Sequence, residues 1–198
     1  MNAEIVKQAL MRYYLFERQF LLVTTEQVTT YGTADVWVMD KDYLALEIEV
    51  KVSRSDLLGE LNSIRDIKFF NNPTTPSKQL KKYRKHYRYL TKYHQYDNKS
   101  ILPNRFYYCV PASLMDIALE YLKHTPYGIL VCVENEVQHE GELLGVYHNI
   151  KVVKSGKCLH NGKVSENIVK QTIRRICSEN YNLRSKKNGK NNEDGKGN

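Results

Sequence analysis

Asp35, Glu49 and Lys51 bring two carboxylates and an ammonium into one short stretch, A-D-V-W-V-M-D-K-D-Y-L-A-L-E-I-E-V-K-V-S-R-S-D, from Ala34 to Asp56. Two carboxylates held side by side grip a divalent cation through hard oxygen donors, the kind Mg²⁺ prefers. A cation held this way neutralises charge on a reacting group and lowers the pKa of a bound water. Lys51 follows Glu49 by two residues, so on a strand it shares that face and reaches the same cleft.

That chemistry depends on the strands carrying these side chains. From Leu44 onward, apolar Leu44, Leu46, Ile48, Val50 and Val52 alternate with Glu47, Glu49 and Lys51. A period of two predicts a strand with its charges on one face. Val36 to Met39 is apolar at every position and predicts a strand buried on both faces. Lys41 and Asp42 lie between the two runs as turn residues. With a three-residue loop centred on Asp42, antiparallel pairing sets Asp35 opposite Glu49. Their Cβ atoms would then be roughly 4.5–5.5 Å apart, close enough to share one cation through Mg–O bonds of about 2.1 Å. A two-residue turn would shift the register by one and send the two carboxylates to opposite faces. Charges alternating along a strand are most often a plain solvated face, and that reading competes with the catalytic one.

Asp35 followed by Glu49-Val50-Lys51 resembles the PD-(D/E)XK nuclease signature. The continuation Val52-Ser53-Arg54-Ser55-Asp56 is similar to the MmcB-like DNA-repair branch and its phage relatives. In that branch the strand ending E-V-K-V-S-R-S-D runs into a helix. A later strand follows, here Pro103 to Pro111, then a helix and a strand of the type Tyr127-Gly128-Ile129-Leu130-Val131. The resemblance covers roughly Ala34 to Val133, about half the chain. It implies an α/β fold with an αβββαβ core, and hydrolysis of DNA phosphodiester bonds with Mg²⁺ or Mn²⁺. By the same resemblance Asp35 and Glu49 hold the metal together with the backbone carbonyl of Val50. Lys51 then orients the attacking water and stabilises developing charge. Some relatives add a helix-borne acid, for which Glu17 and Glu26 are the candidates. Glu47, one step back along the strand, is a further metal ligand or part of the cleft wall.

The elements around the hairpin can be read without the motif. Ala3 to Arg18 has helical apolar spacing, and Phe20 to Thr30 is β-rich, leading through Tyr31-Gly32 into the Asp35 strand. Ser53 and Asp56 fit a capping box that opens a helix with the stripe Leu57, Leu58, Leu61, Ile64 and Ile67, stopped by Asn71-Asn72-Pro73. A second helix is expected over Ser77 to Tyr96, a basic insertion with no acidic residue. Its apolar stripe would be Leu80, Tyr83, Tyr87 and Leu90, with Lys81, Lys82, Arg84, Lys85, Arg88 and Lys92 around it. Arg105 to Val110 and Tyr127 to Val133 read as strands flanking a helix from Ser113 to Lys123. Glu134 to Glu142 reads as a polar loop, and residues around Tyr147 to Val153 as β-like. Ser165 to Asn180 is an amphipathic closing helix, and from Arg184 nothing is left to bury, so disorder is expected. The expected architecture is a mixed α/β sheet with an antiparallel start, one domain over 1–183 and a basic tail over 184–198.

The chain has 198 residues, enough for one domain with a core. A formal charge of +8 and a pI near 9.2 favour a polyanionic partner. Fifteen tyrosines, many beside basic residues, favour nucleic acid over a membrane. No apolar run approaches the ~20 residues of a membrane span. Met1-Asn2-Ala3-Glu4 lacks a secretory pattern, so a cytoplasmic, non-secreted protein is expected. Cys109, Cys132, Cys158 and Cys177 form no Cys-x-x-Cys pair, which argues against a zinc site or a disulfide framework.

Lys81, Lys82, Arg84, Lys85 and Arg88, with the tyrosines between them, read either as a solvated surface helix or as a surface that tracks phosphates and stacks bases. Arg54 joins them at the head of the capped helix, and His86 and His94 read as part of the same surface. Three alternatives to a DNA nuclease remain open: a binding module on the same fold, a ribonuclease, and an assembly protein whose basic face meets a protein partner.

Overall fold

The computed structural model describes residues 1–29, 32–65, 77–90, 102–139 and 142–193, with the backbone alone for 77–83, 139, 142 and 183–193. The chain divides into two compact units, Met1–Lys163 and Val164–Asn198. The first opens with helix α1 (Ala3–Arg12), which continues as a π-helical turn over Tyr13–Glu17. Strands β1 (Leu22–Thr29), β2 (Gly32–Met39) and β3 (Ala45–Val50) follow, then helices α2 (Arg54–Arg65) and α3 (Ser77–Leu90). Strand β4 (Arg105–Pro111), helix α4 (Met115–Leu122) and strands β5 (Gly128–His139) and β6 (Glu142–Lys154) complete it. The second unit is helix α5 (Glu166–Glu193).

The six strands form one mixed sheet in sequential order. β1, β2 and β3 are an antiparallel meander, β3, β4 and β5 run parallel, and β6 returns antiparallel to β5. Each parallel step needs a helical crossover, supplied by α2 and α3 before β4 and by α4 before β5. The crossover helices cover one face at the centre of the sheet, and α1 covers the other. Val6, Ala9 and Leu10 of α1 pack with Val36, Val38, Leu46, Ile48 and Val50 on one face. On the other, Leu57 and Leu61 of α2, Tyr89 of α3 and Ala118 and Leu122 of α4 pack with Phe106 and Tyr108.

The β2–β3 turn sets the register. The Asp40 carboxylate accepts from the backbone N–H of Asp42 and of Leu44, both at 2.9 Å, and Asp40 N–H donates to Leu44 carbonyl at 3.0 Å. Lys41, Asp42 and Tyr43 are thus the three loop residues, with Tyr43 at φ 63° closing the turn in the left-handed region. Val36 pairs with Ile48 and Trp37 with Glu47, the register that the three-residue loop predicts. Asn104 ties the start of β4 to β3. Its side-chain oxygen accepts from Ala45 N–H at 2.7 Å, and its amide donates to the carbonyls of His160 and Gly162, both at 2.8 Å.

Several elements differ from the sequence reading. Residues 134–139 continue β5 instead of forming a loop, because β5 and β6 run on as a two-stranded ribbon where Glu134, Glu136 and Gln138 can face solvent. α5 passes unbroken through 183 to Glu193, so neither the expected boundary nor the start of disorder falls there. Its Arg, Lys and Ser residues include no proline, and the backbone ladder carries on. The Asn71-Asn72-Pro73 stop, residues 91–96 of the basic helix with His94, and residues 194–198 lie outside the described residues, as do the side chains of Lys81 and Lys82. Cys109 and Cys132 are buried free thiols, and Cys158 and Cys177 are exposed. Among the described residues no helix is long and apolar enough to cross a membrane.

The Tyr107 ring lies against the backbone of Gly128 and Gly156. A Cβ on Gly128 would sit 2.1 Å from Tyr107 Cε1 and 2.7 Å from Gly156 N. Overpacking of this kind costs about 1–3 kcal/mol. Gly128→Ala is expected to lower unfolding free energy by that amount in urea titration. A change below about 0.5 kcal/mol would mean that the ring moves aside freely.

Candidate active site

The charged face of β3 points into the protein, not to solvent. Glu47 is fully buried, and Glu49 and Lys51 retain 8% of their surface each. The solvated-face reading therefore does not hold. Phe106 and Tyr108 of β4 lie beside Glu47 and Glu49 in the sheet, and α2 and α3 cover them.

Asp35 sits one step beyond the last β2–β3 pair, opposite Glu49 in the same register. Its Oδ2 accepts from Val50 N–H at 2.7 Å, which fixes the carboxylate against β3. Oδ1 lies 3.6 Å from Lys7 Nζ, and the side chain is 25% exposed. Burial, followed by the charge of Glu49, pushes the Asp35 pKa above the ordinary carboxylate value. Val50 N–H and Lys51 oppose that shift without cancelling it.

Each oxygen of Glu49 faces an ammonium. Lys51 Nζ is 3.5 Å from Oε2, and Lys85 Nζ donates to Oε1. Burial alone would raise the Glu49 pKa, but Lys85 and Lys51 outweigh it and the pKa is lowered. Lys51 also lies 3.6 Å from Asp56 Oδ2 and 4.0 Å from Glu60 Oε2, one turn apart on α2. Burial opposes its charge, yet Glu49, Glu60 and Asp56 raise its pKa, so it is an ammonium at neutral pH.

α3 enters the face with residues that periodicity assigns to the surface. Lys85 is 6% exposed, and its Nζ lies 2.5 Å from Glu47 Oε1 and 5.0 Å from the Phe106 ring centroid. Lys85 is thus a buried partner of β3 carboxylates and not one of the phosphate-gripping side chains. His86, expected at the surface, is fully buried. Its Nε2 is 2.9 Å from Glu60 Oε1 and its Nδ1 2.9 Å from Tyr127 Oη. Nε2–H donating to Glu60 and Nδ1 accepting from Tyr127 satisfies both contacts with a neutral ring. Tyr89 Oη donates to Glu47 Oε2 at 2.9 Å. Carboxylates on β3 and α2 draw Lys85, His86 and Tyr89 inward, whereas Tyr87 and Leu90 of the expected stripe are only half-buried.

Of the remaining sequence candidates, Glu26 lies in β1 at φ 51° and ion-pairs with Lys7, half exposed. Glu17 pairs with Arg12 at 3.7 Å and is also half exposed. The α1 side chain that reaches Asp35 is Lys7, a cation where an acid was sought. Arg54, Arg84 and Arg88 are exposed. Lys7, Glu60, Tyr89, Tyr108 and Tyr127 join the site from outside the sequence motif. The four-residue spacing of Asp56 and Glu60, one helical turn apart on the helix that follows Lys51, is the available signal for Glu60.

Among the described residues no group of three or more His, Cys, Asp or Glu side chains converges as a metal cage. The donor set fits a divalent cation by its chemistry: two mutually repelling carboxylates on paired strands, the outer one partly open to water. No family model matches the chain, and no curated protein does. A solved structure of a protein of unknown function from Silicibacter pomeroyi is similar over 100% of this chain and 96% of its own, at 11% identity and a TM-score of 0.48.

Burial lowers the His86 pKa below its ordinary 6.5, against the pull of Glu60. Protonation therefore favours the unfolded chain. Stability is full above about pH 6.5 and falls as pH drops through that value, by at most about 1.4 kcal/mol per pH unit. Thermal unfolding from about pH 7.5 to 5.5 should show this acid loss in the wild type and a shallower one in His86→Asn. Parallel profiles would mean that His86 takes up its proton equally in the folded and unfolded chain.

Proposed function

We propose that this protein is a metal-dependent nuclease of the PD-(D/E)XK type that hydrolyses DNA phosphodiester bonds. The observation that carries the reading is the β2–β3 register, with Asp35 opposite Glu49 and Lys51 on the same face. The order of one helix, three antiparallel strands, a helical crossover and a parallel strand agrees with that family's αβββαβ core, with α3 inserted before β4. A role in DNA repair, recombination or phage DNA metabolism follows from the resemblance.

A divalent cation, Mg²⁺ or Mn²⁺, held by Asp35, Glu49 and the Val50 carbonyl would neutralise charge at the phosphate and lower the pKa of a bound water. The chain's own residues do the rest. Asp35 presents the open side of the site. Lys51 keeps its charge at neutral pH, stabilises charge developing on the phosphate oxygens and orients the water. Asp56 and Glu60 hold the Lys51 ammonium from the helix side. Arg54 at the start of α2 and Arg84 and Arg88 on the exposed side of α3 meet backbone phosphates. Lys81 and Lys82 lie on the same helix.

One observation favours a second reading. Both Glu49 oxygens already face ammonium groups, as in a site that holds nucleic acid without cutting it.

The deciding experiment incubates supercoiled, linear, single-stranded and branched DNA, beside RNA, with Mg²⁺, Mn²⁺ or EDTA. Cleavage should require metal, and Glu49→Gln and Lys51→Met should each slow it by at least about 10²-fold. Binding of every DNA with cleavage of none, even in Mn²⁺, would establish the binding module. In a separate titration, affinity should fall steeply with salt. Arg84→Ala and Arg88→Ala should each flatten the logarithmic salt slope by about 1. A slope unchanged by both would remove α3 from the interface.

A further inference from the structure

We propose that Lys85 is a built-in second cation, and that the carboxylate site in consequence takes one divalent ion and not two. This rests on reading Asp35 and Glu49 as cation ligands.

Glu47 and Glu49 are two residues apart on the inner face of β3, so their carboxylates stand side by side. Two adjacent carboxylates are what a bridging divalent ion uses in two-metal sites, where the ions lie about 3.5–4 Å apart. Here the bridging position holds an ammonium. Lys85 Nζ is 2.5 Å from Glu47 Oε1 and hydrogen-bonds to Glu49 Oε1. The Phe106 ring closes over Nζ at 5.0 Å, and Tyr89 Oη occupies the other oxygen of Glu47 at 2.9 Å.

The two ends of the carboxylate row differ in access. Glu47 is fully buried and Lys85 nearly so, which leaves an ion no open route to that end. Asp35, at the other end, is a quarter exposed. Lys85 is tethered to α3 and cannot dissociate as a metal ion can, so its place is filled at every metal concentration. Glu49 Oε2 is the oxygen that Lys85 does not take, and Lys51 pairs with it at the longer distance of 3.5 Å.

Mn²⁺ binding to the full chain tests this through titration calorimetry and electron paramagnetic resonance, neither of which reads activity. The wild type should bind one Mn²⁺ per chain, with the spectrum of an isolated ion, and Glu49→Gln should lose it. Lys85→Met should bind two, and the pair should broaden each other's lines. It should also unfold more readily in EDTA and regain thermal stability on adding Mn²⁺. Because Lys85→Met leaves Glu47 without a counter-charge and Glu49 with Lys51 alone, Glu47→Gln/Lys85→Met serves as the foldable control and should return to one ion. Two ions in the wild type, or one in a folded Lys85→Met, would overturn the proposal while leaving the nuclease reading intact. No Mn²⁺ in the wild type would overturn the proposal, and wild-type DNA cleavage in Mg²⁺ shows separately whether the nuclease reading fails with it.

Discussion

Burying like charges on one strand is possible only if opposite charges are buried with them, and much of this molecule follows from that constraint. Glu47, Glu49 and Glu60 have almost no exposed surface. A single carboxylate in such a place costs several kcal/mol of lost hydration, which only close, well-directed partners offset. Lys51 and Lys85 supply the charge, and Tyr89 and His86 supply neutral hydrogen bonds to Glu47 and Glu60. Apolar packing sets α2 and α3 against the sheet. The charged contacts select where along the sheet they sit, because an ammonium displaced by a few ångströms would leave two carboxylates unanswered.

The same constraint divides labour among the acids. Glu49, between two lysines, is held ionised, whereas burial and neighbouring Glu49 push Glu47 toward its neutral form against the pull of Lys85. Asp35, with a lysine on one oxygen and a backbone N–H on the other, is also pushed toward its neutral form, by burial and then by the charge of Glu49. Three neighbouring carboxyl groups thus differ in their hold on a proton, although their side chains are nearly alike. Environment, not residue type, assigns the roles. Glu60 links the row to a neutral histidine and through it to Tyr127, so the ordered face extends across β4 to the start of β5.

What was legible in the sequence follows from how local each signal is. The hairpin could be read because alternation around Glu47, Glu49 and Lys51 and the short D-K-D-Y link are both local, and register follows from them. The strand order came from apolar runs in β4 and β5 and the helical spacing between them. Lys85 and His86 were misplaced because periodicity treats every charged residue as outward-facing. Nothing near Lys85 in sequence announces that its partner lies 36 residues earlier. The outer half of β5 was invisible for the opposite reason: a two-stranded ribbon exposes both faces and leaves no apolar alternation to find. α5 outran its apolar stripe because a continuing backbone ladder does not require one.

Asp40 spends its carboxylate on two backbone N–H groups that close the loop over Lys41, Asp42 and Tyr43. The number of these loop residues decides which side of β3 every later residue faces. A single codon gained or lost there would turn Glu47, Glu49 and Lys51 toward α1 and Ile48 toward α2, so the loop's length, more than its letters, carries the site.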